Sequence, residues 1–110
     1  MLSPKECAEA WKTVIRVYDD TISENKSDLT MEKILDELGM EKTKEVFATV
    51  AAIKKHDGRI YGKNREAMNA IPVNVECVER TQSNPVIYAD LDHIHTSHID
   101  NLITQLRKKM

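Results

Sequence analysis

The sequence predicts a mainly α fold: a compact bundle of four to five helices with a minor two-stranded β-ribbon around 73–78 and 85–89. Three observations carry that prediction. Apolar residues recur at helical spacing in several long stretches, as in Cys7, Trp11, Val14, Ile15, Tyr18 and Ile22. Helix-start residues stand directly before those stretches. Only three Gly and three Pro occur in 110 residues, and aromatics make up 5%, too little turn and strand chemistry for an all-β sandwich.

The first helix opens at Ser3-Pro4-Lys5-Glu6. Ser3 is placed to accept from the N3 amide, Pro4 suits N1, and Glu6 at N3 completes a capping box. The helix is expected to run to about Thr21, with Trp11 as its largest core anchor. Ser23 to Asp28 is a polar loop. Thr30 then reads as an N-cap, with Leu29 and Ile34 spaced for a hydrophobic staple. A short helix, Met31 to Leu38, stops at Gly39.

The stretch Val46 to Ile71 organises the rest. Val46, Phe47, Val50, Ala51, and Ile53 or the methylenes of Lys54 line one helical face. His56-Asp57-Gly58 is a stop, since Gly takes the left-handed conformation without a Cβ clash. A further helix is expected up to Pro72, which lacks an N–H and holds Ile71 extended. Val73 to Cys77 alternates apolar and polar, and Pro85-Val86-Ile87-Tyr88 follows the turn-like Thr81 to Asn84, hence the expected ribbon. The last helix is read with Ser97 and Asp100 at its start, a stripe of Ile99, Leu102, Ile103, Leu106 and Met110, and Arg107-Lys108-Lys109 complementing its C-terminal dipole. No repeat or long linker divides residues 1–110, so one domain is expected.

Charge is unevenly spread. Residues 1–45 hold seven Lys/Arg against eleven Asp/Glu, residues 46–65 five against one, and residues 66–106 one against six. A basic island, Lys54, Lys55, His56, Arg59, Lys63 and Arg65, therefore lies between two acidic stretches. A tight turn would gather Lys54, Lys55, Arg59, Lys63 and Arg65 at one end of the molecule to grip phosphate or an acidic protein surface. These five are the candidate partner-binding residues. The bland reading is a solvated face with dipole-complementary lysines.

Other chemistry is weaker. Helix, Gly turn, helix over Met31 to Lys55 has the outline of a helix-turn-helix, but Glu41 and Glu45 would set carboxylates against phosphates. His93, His95 and His98 repeat the H-x-H-x-x-H spacing of the metallo-β-lactamase superfamily, yet Ser97 stands where that signature has Asp, and the chain is too short for that fold. A zinc site from His93, His95 and Asp90 or Asp92 is chemically reasonable; a solvated loop before a capped helix is the plainer reading. No nucleophile motif and no Gly-rich phosphate loop occurs, so no enzyme and no cofactor is expected. Cys7 and Cys77 form no CxxC pair and read as reduced, partly buried thiols. No apolar run approaches the roughly 18–20 residues of a membrane span, and charge stands where a signal peptide needs an apolar core, so a cytoplasmic protein is expected.

Val46 to Ala67, and more weakly Ser97 to Arg107, resembles a small domain of unknown function found in proteins of conjugative and other mobile elements of gut Gram-positive bacteria. The residues that carry the likeness are Val46-Phe47-Ala48-Thr49-Val50, Asp57-Gly58-Arg59 and Asn64-Arg65-Glu66. The resemblance implies no catalytic residues. It implies a non-enzymatic protein of a mobile genetic element that acts by protein–protein binding, with inhibition of a host defence nuclease, a CRISPR-Cas effector, as the special case. The alternatives are a nucleic-acid-binding or transcription-regulatory protein using the basic turn 54–65, and a metal-dependent enzyme through His93, His95 and His98.

Overall fold

The computed structural model describes residues 1–56, 68 and 70–110. Among them stand six α-helices and no strand: α1 (Pro4–Ser23), α2 (Thr30–Leu38), α3 (Met40–His56), α4 (Val75–Ser83), α5 (Pro85–Leu91) and α6 (Thr96–Lys109). None of these is long and apolar enough to cross a membrane. The mainly α prediction holds. The expected turn at Asp57-Gly58 and the helix after it fall outside the described residues.

Helix α1 begins with the expected reciprocal cap. Ser3 Oγ accepts from the Glu6 amide at 3.2 Å, and Glu6 Oε1 accepts from the Ser3 amide at 3.3 Å. Cys7, Ala10, Trp11, Val14, Val17 and Thr21 are buried, while Ile22, which the sequence places on the apolar stripe, is 43% exposed. The helix leaves through Asn25, whose φ of 57° is tolerated because Asn accepts the left-handed region better than most side chains.

Between α1 and α2, Ser27–Leu29 forms one 3-10 turn that leads directly into the helix. Thr30 is already helical and is not the N-cap that the sequence predicts. Its hydroxyl turns inward to meet that of Thr21, and both residues are buried. Gly39, at φ 79°, joins α2 to α3. The Thr43 hydroxyl donates back to Gly39 O at 2.7 Å, which holds the joint tight.

Helix α3 is the centre of the fold. Thr43, Val46 through Ala51, Ile53 and Lys54 are all buried, so the helix is covered on most sides and not along one stripe. It packs on α1, α2 and α4. Phe47 meets Trp11 edge to face, with ring centroids 5.8 Å apart and planes at 78°. Full burial of Phe47 removes about 1.5–3 kcal/mol worth of apolar surface from water.

The expected β-ribbon is absent, and both of its segments are helical. Asn74 caps α4 by accepting from the Glu76 amide at 2.9 Å. Asn84 caps α5 by accepting from the Val86 and Ile87 amides at 3.0 and 3.2 Å, with Pro85 at N1. The buried positions of α4 are Cys77 and Thr81, one helical turn apart. Val75, which the alternating pattern placed on a buried strand face, is 65% exposed.

Helix α6 presents Ile99, Leu102, Ile103 and Leu106 to the core and packs against α2. Its cap is His95 and not Ser97: His95 Nδ1 accepts from the Ser97 amide at 3.2 Å. Met110 is 56% exposed, so the buried stripe ends at Leu106.

Candidate functional site

Of the five predicted basic residues, Lys54 and Lys55 lie among the described residues. Lys54 is 1% exposed, and its Nζ lies 2.6 Å from Asp92 Oδ1. One turn beyond Val50, Lys54 falls on a side of α3 that the core covers, so its apolar stem is buried and, among the described residues, the Asp92 carboxylate from the α5–α6 connection reaches its head. Lys54 therefore does not meet a partner from this position. Lys55 is half-buried. Arg59, Lys63 and Arg65 lie outside the described residues.

The three clustered histidines go to three different tasks. His93 Nε2 lies 2.9 Å from Asp19 of α1. His95 caps α6, with its Nδ1 also 2.8 Å from Ser97 Oγ. His98 Nδ1 meets the Tyr18 hydroxyl, and burial followed by the neighbouring Asp19 charge raises the Tyr18 pKa. No group of three His, Cys, Asp or Glu among the described residues converges on a point where a metal would sit. The segment 90–98 is instead a seam along α1: Trp11 Nε1 donates to Asp90 O at 2.9 Å, and Tyr18 and Asp19 hold His98 and His93.

Both thiols are free and buried. Burial pushes the Cys7 pKa up to about 11, and burial with the adjacent Glu76 charge raises that of Cys77. Each thiol is held protonated at neutral pH, opposite to the setting of a nucleophile. Cys77 Sγ lies 3.3 Å from Leu2 O, on the segment preceding α1.

Two of the surface clefts among the described residues are lined by several Lys, Arg, Asp and Glu side chains. One lies between α1 and α2, where Arg16, Lys33, Asp20, Glu24, Asp36 and Glu37 meet. Its charges answer one another: Arg16 binds Glu37 and sits 3.8 Å from Asp20, and Lys33 lies 4.0 Å from Glu24. The other is an open groove of about 750 Å³ between the first three turns of α1 and the α4–α5 joint. Pro4, Ala8, Pro85 and Ile87 give it apolar walls, while Lys5, Lys12 and Arg80 outnumber Glu9 on its rim. Arg80 pairs with Glu76 at 2.6 Å, and neither Lys5 nor Lys12 makes an ion pair among the described residues. Beside the groove, Val86 stands 75% exposed.

Sequence reasoning missed this groove. Lys5, Ala8, Glu9 and Lys12 follow helical spacing on the side of α1 away from its apolar stripe, which reads as a solvated face. Pro85 and Ile87 sat in the second strand of the expected ribbon, and Arg80 just past the first. The recoverable signal was the Asn84-Pro85 pair, an N-cap followed by a proline at N1, which bends the chain between two helices and opens the cleft. No family model, curated protein or solved structure matches this chain.

Proposed function

We propose that the protein is a non-enzymatic interaction module that binds a protein partner through the groove between α1 and the α4–α5 joint. The observation that carries this reading is the groove's composition: apolar walls and the adjacent exposed Val86, rimmed by Lys5, Lys12 and Arg80. Apolar surface bordered by charge is the make-up of a protein-docking site. Lys5 and Lys12, which make no ion pair among the described residues, supply long-range attraction to an acidic partner, and Arg80, shared with Glu76, adds a weaker contribution. The groove thus takes the role that the sequence assigned to the 54–65 turn.

The mobile-element resemblance supplies the setting: the partner is a host or element protein. Inhibition of a CRISPR-Cas effector remains the special case, with the groove docked on an acidic face of the nuclease. The nucleic-acid reading rests on the same three cations and predicts an affinity that falls steeply with salt.

The test is the triple variant Lys5→Glu, Lys12→Glu, Arg80→Glu, used beside the parent protein to recover partners from native-host lysate, with and without nuclease treatment. All three side chains are on the surface, so the fold is expected to survive, with circular dichroism as the check. Loss of at least about tenfold of a nuclease-resistant partner supports the groove. Undiminished recovery by the variant refutes it, and partners that vanish with nuclease transfer the reading to nucleic acid.

A further inference from the structure

Behind the groove lies a second, smaller cavity. It is bounded by Trp11, Thr49, Val50, Ile53 and Leu91, and it shares Ala8 and Ile87 with the groove. Those two half-buried residues form the partition between the spaces. The cavity measures about 20 Å³, room for one water or one methyl group.

Its lining offers little to a water molecule. Thr49 Oγ1 donates to Glu45 O at 2.9 Å, Thr81 Oγ1 to Cys77 O at 2.7 Å, and Trp11 Nε1 to Asp90 O at 2.9 Å. These hydroxyl and indole hydrogens are committed within the protein, which leaves the Cys7 thiol and Asp90 as the remaining polar side chains beside a mostly apolar lining. A space lined this way is filled to advantage by an apolar group. The element that closes it, α5, has seven residues and, among the described residues, packs mainly on α1 and α4.

Resting on the groove reading above, we infer that the groove's occupant is an acidic segment of a partner protein carrying one aliphatic anchor. Its carboxylates lie along Lys5, Lys12 and Arg80, and its anchor presses between Ala8 and Ile87 toward Trp11. Charge selects the acidic segment, because Lys5 and Lys12 face only Glu9 on the rim, while Arg80 is shared with Glu76. Size and polarity select the anchor: a leucine, isoleucine or methionine side chain supplies methyl groups to the cavity without stranding a polar atom. Seating more than one methyl group moves Ile87 outward on α5. Trp11 is the only tryptophan in the chain and lies on the cavity wall, so its fluorescence reports the anchor directly.

A random seven-residue peptide library displayed on phage is panned on the protein and, in parallel, on the Lys5→Glu, Lys12→Glu, Arg80→Glu variant. The expected binders are rich in Asp and Glu around one Leu, Ile or Met, and are absent from the variant's pool. Synthesised, the best of them shifts Trp11 emission, and its anchor-to-Ala version binds about tenfold more weakly. Ile87→Ala, which widens the partition without filling the core, is expected to change preference from Leu toward Phe at the anchor. Binders that are lost on charge reversal yet tolerate Ala at every apolar position, or that are basic, overturn the anchored acidic segment and leave the groove reading intact. No enriched binder, or equal enrichment on the charge-reversed variant, overturns both.

Discussion

Lys54 and Asp92 give the sharpest test of the packing. Asp92→Ala removes the carboxylate that lies 2.6 Å from an ammonium whose side chain is 2% exposed. Taking one partner from a fully buried ion pair costs about 3–5 kcal/mol, because the remaining charge stays in a poorly solvating site. Asp92 itself is 44% exposed, so water enters where it stood, and the expected loss falls to about 2–3 kcal/mol. Asp92 also sits at the C-terminus of α5, where a negative charge is unfavourable, and the measured loss is net of that relief. Lys54→Met is expected to behave differently. It keeps the buried apolar stem and removes the buried charge, while Asp92 stays 44% exposed, for a change of about 1 kcal/mol or less in either direction. In a domain of this size 1 kcal/mol corresponds to about 4 °C in Tm. Calorimetry should therefore place Asp92→Ala about 8–12 °C below the parent and Lys54→Met within about 4 °C. The double variant should match Lys54→Met, since no buried charge is left to strand. If Lys54→Met is as damaging as Asp92→Ala, the attraction within the pair and not the isolated ammonium carries the energy, and the reasoning fails.

Asn84→Ala removes the acceptor for two α5 amides and is expected to cost about 1 kcal/mol, with Asn84→Gly losing only a few tenths; equal losses in urea unfolding would show that the side-chain cap does not hold α5. Cys7 gives a pH signature. Its folded pKa is raised from 9.0 to about 11, so the unfolded chain releases the thiol proton first, and the contribution present below about pH 9 disappears as pH climbs toward 11. Two units correspond to about 2–3 kcal/mol, and the stability gap between the parent and Cys7→Ala should narrow by that amount between pH 8 and 11. A constant gap would mean that the thiolate is tolerated where the thiol sits.

The helical class, the capping box at Ser3, the stop at Gly39 and the stripe from Ile99 to Leu106 were legible because each is set by neighbours within a turn or two. The misreadings share one origin. At Val73–Cys77 a five-residue alternation fits both a strand and the approach to a helix, and only the Asn74 cap with Cys77 and Thr81 one turn apart decides for the helix. Thr30 and Ser97 have the chemistry of caps, but tertiary placement used Thr30 as an inward hydroxyl and gave the cap of α6 to His95. Lys54 reads from the sequence both as a stem on the core-facing stripe of α3 and as part of the basic island, and the enclosure of α3 keeps the first reading. The groove was illegible because its walls come from residues about 75 positions apart, joined only by the packing of α1 on α4 and α5.

The enclosure of α3 also divides the molecule by time scale. The amides of Val46 to Ala51 sit among buried side chains on a helix flanked by α1, α2 and α4, so they meet solvent only when those neighbours separate. Hydrogen–deuterium exchange in this segment should report the opening of the whole domain. In α5, seven residues long and carrying one fully buried side chain, Leu91, exchange needs far less to be undone. Exchange is expected to be slow at the axis of the molecule and quick at the wall of its groove, with the wall opening many times for each opening of the centre.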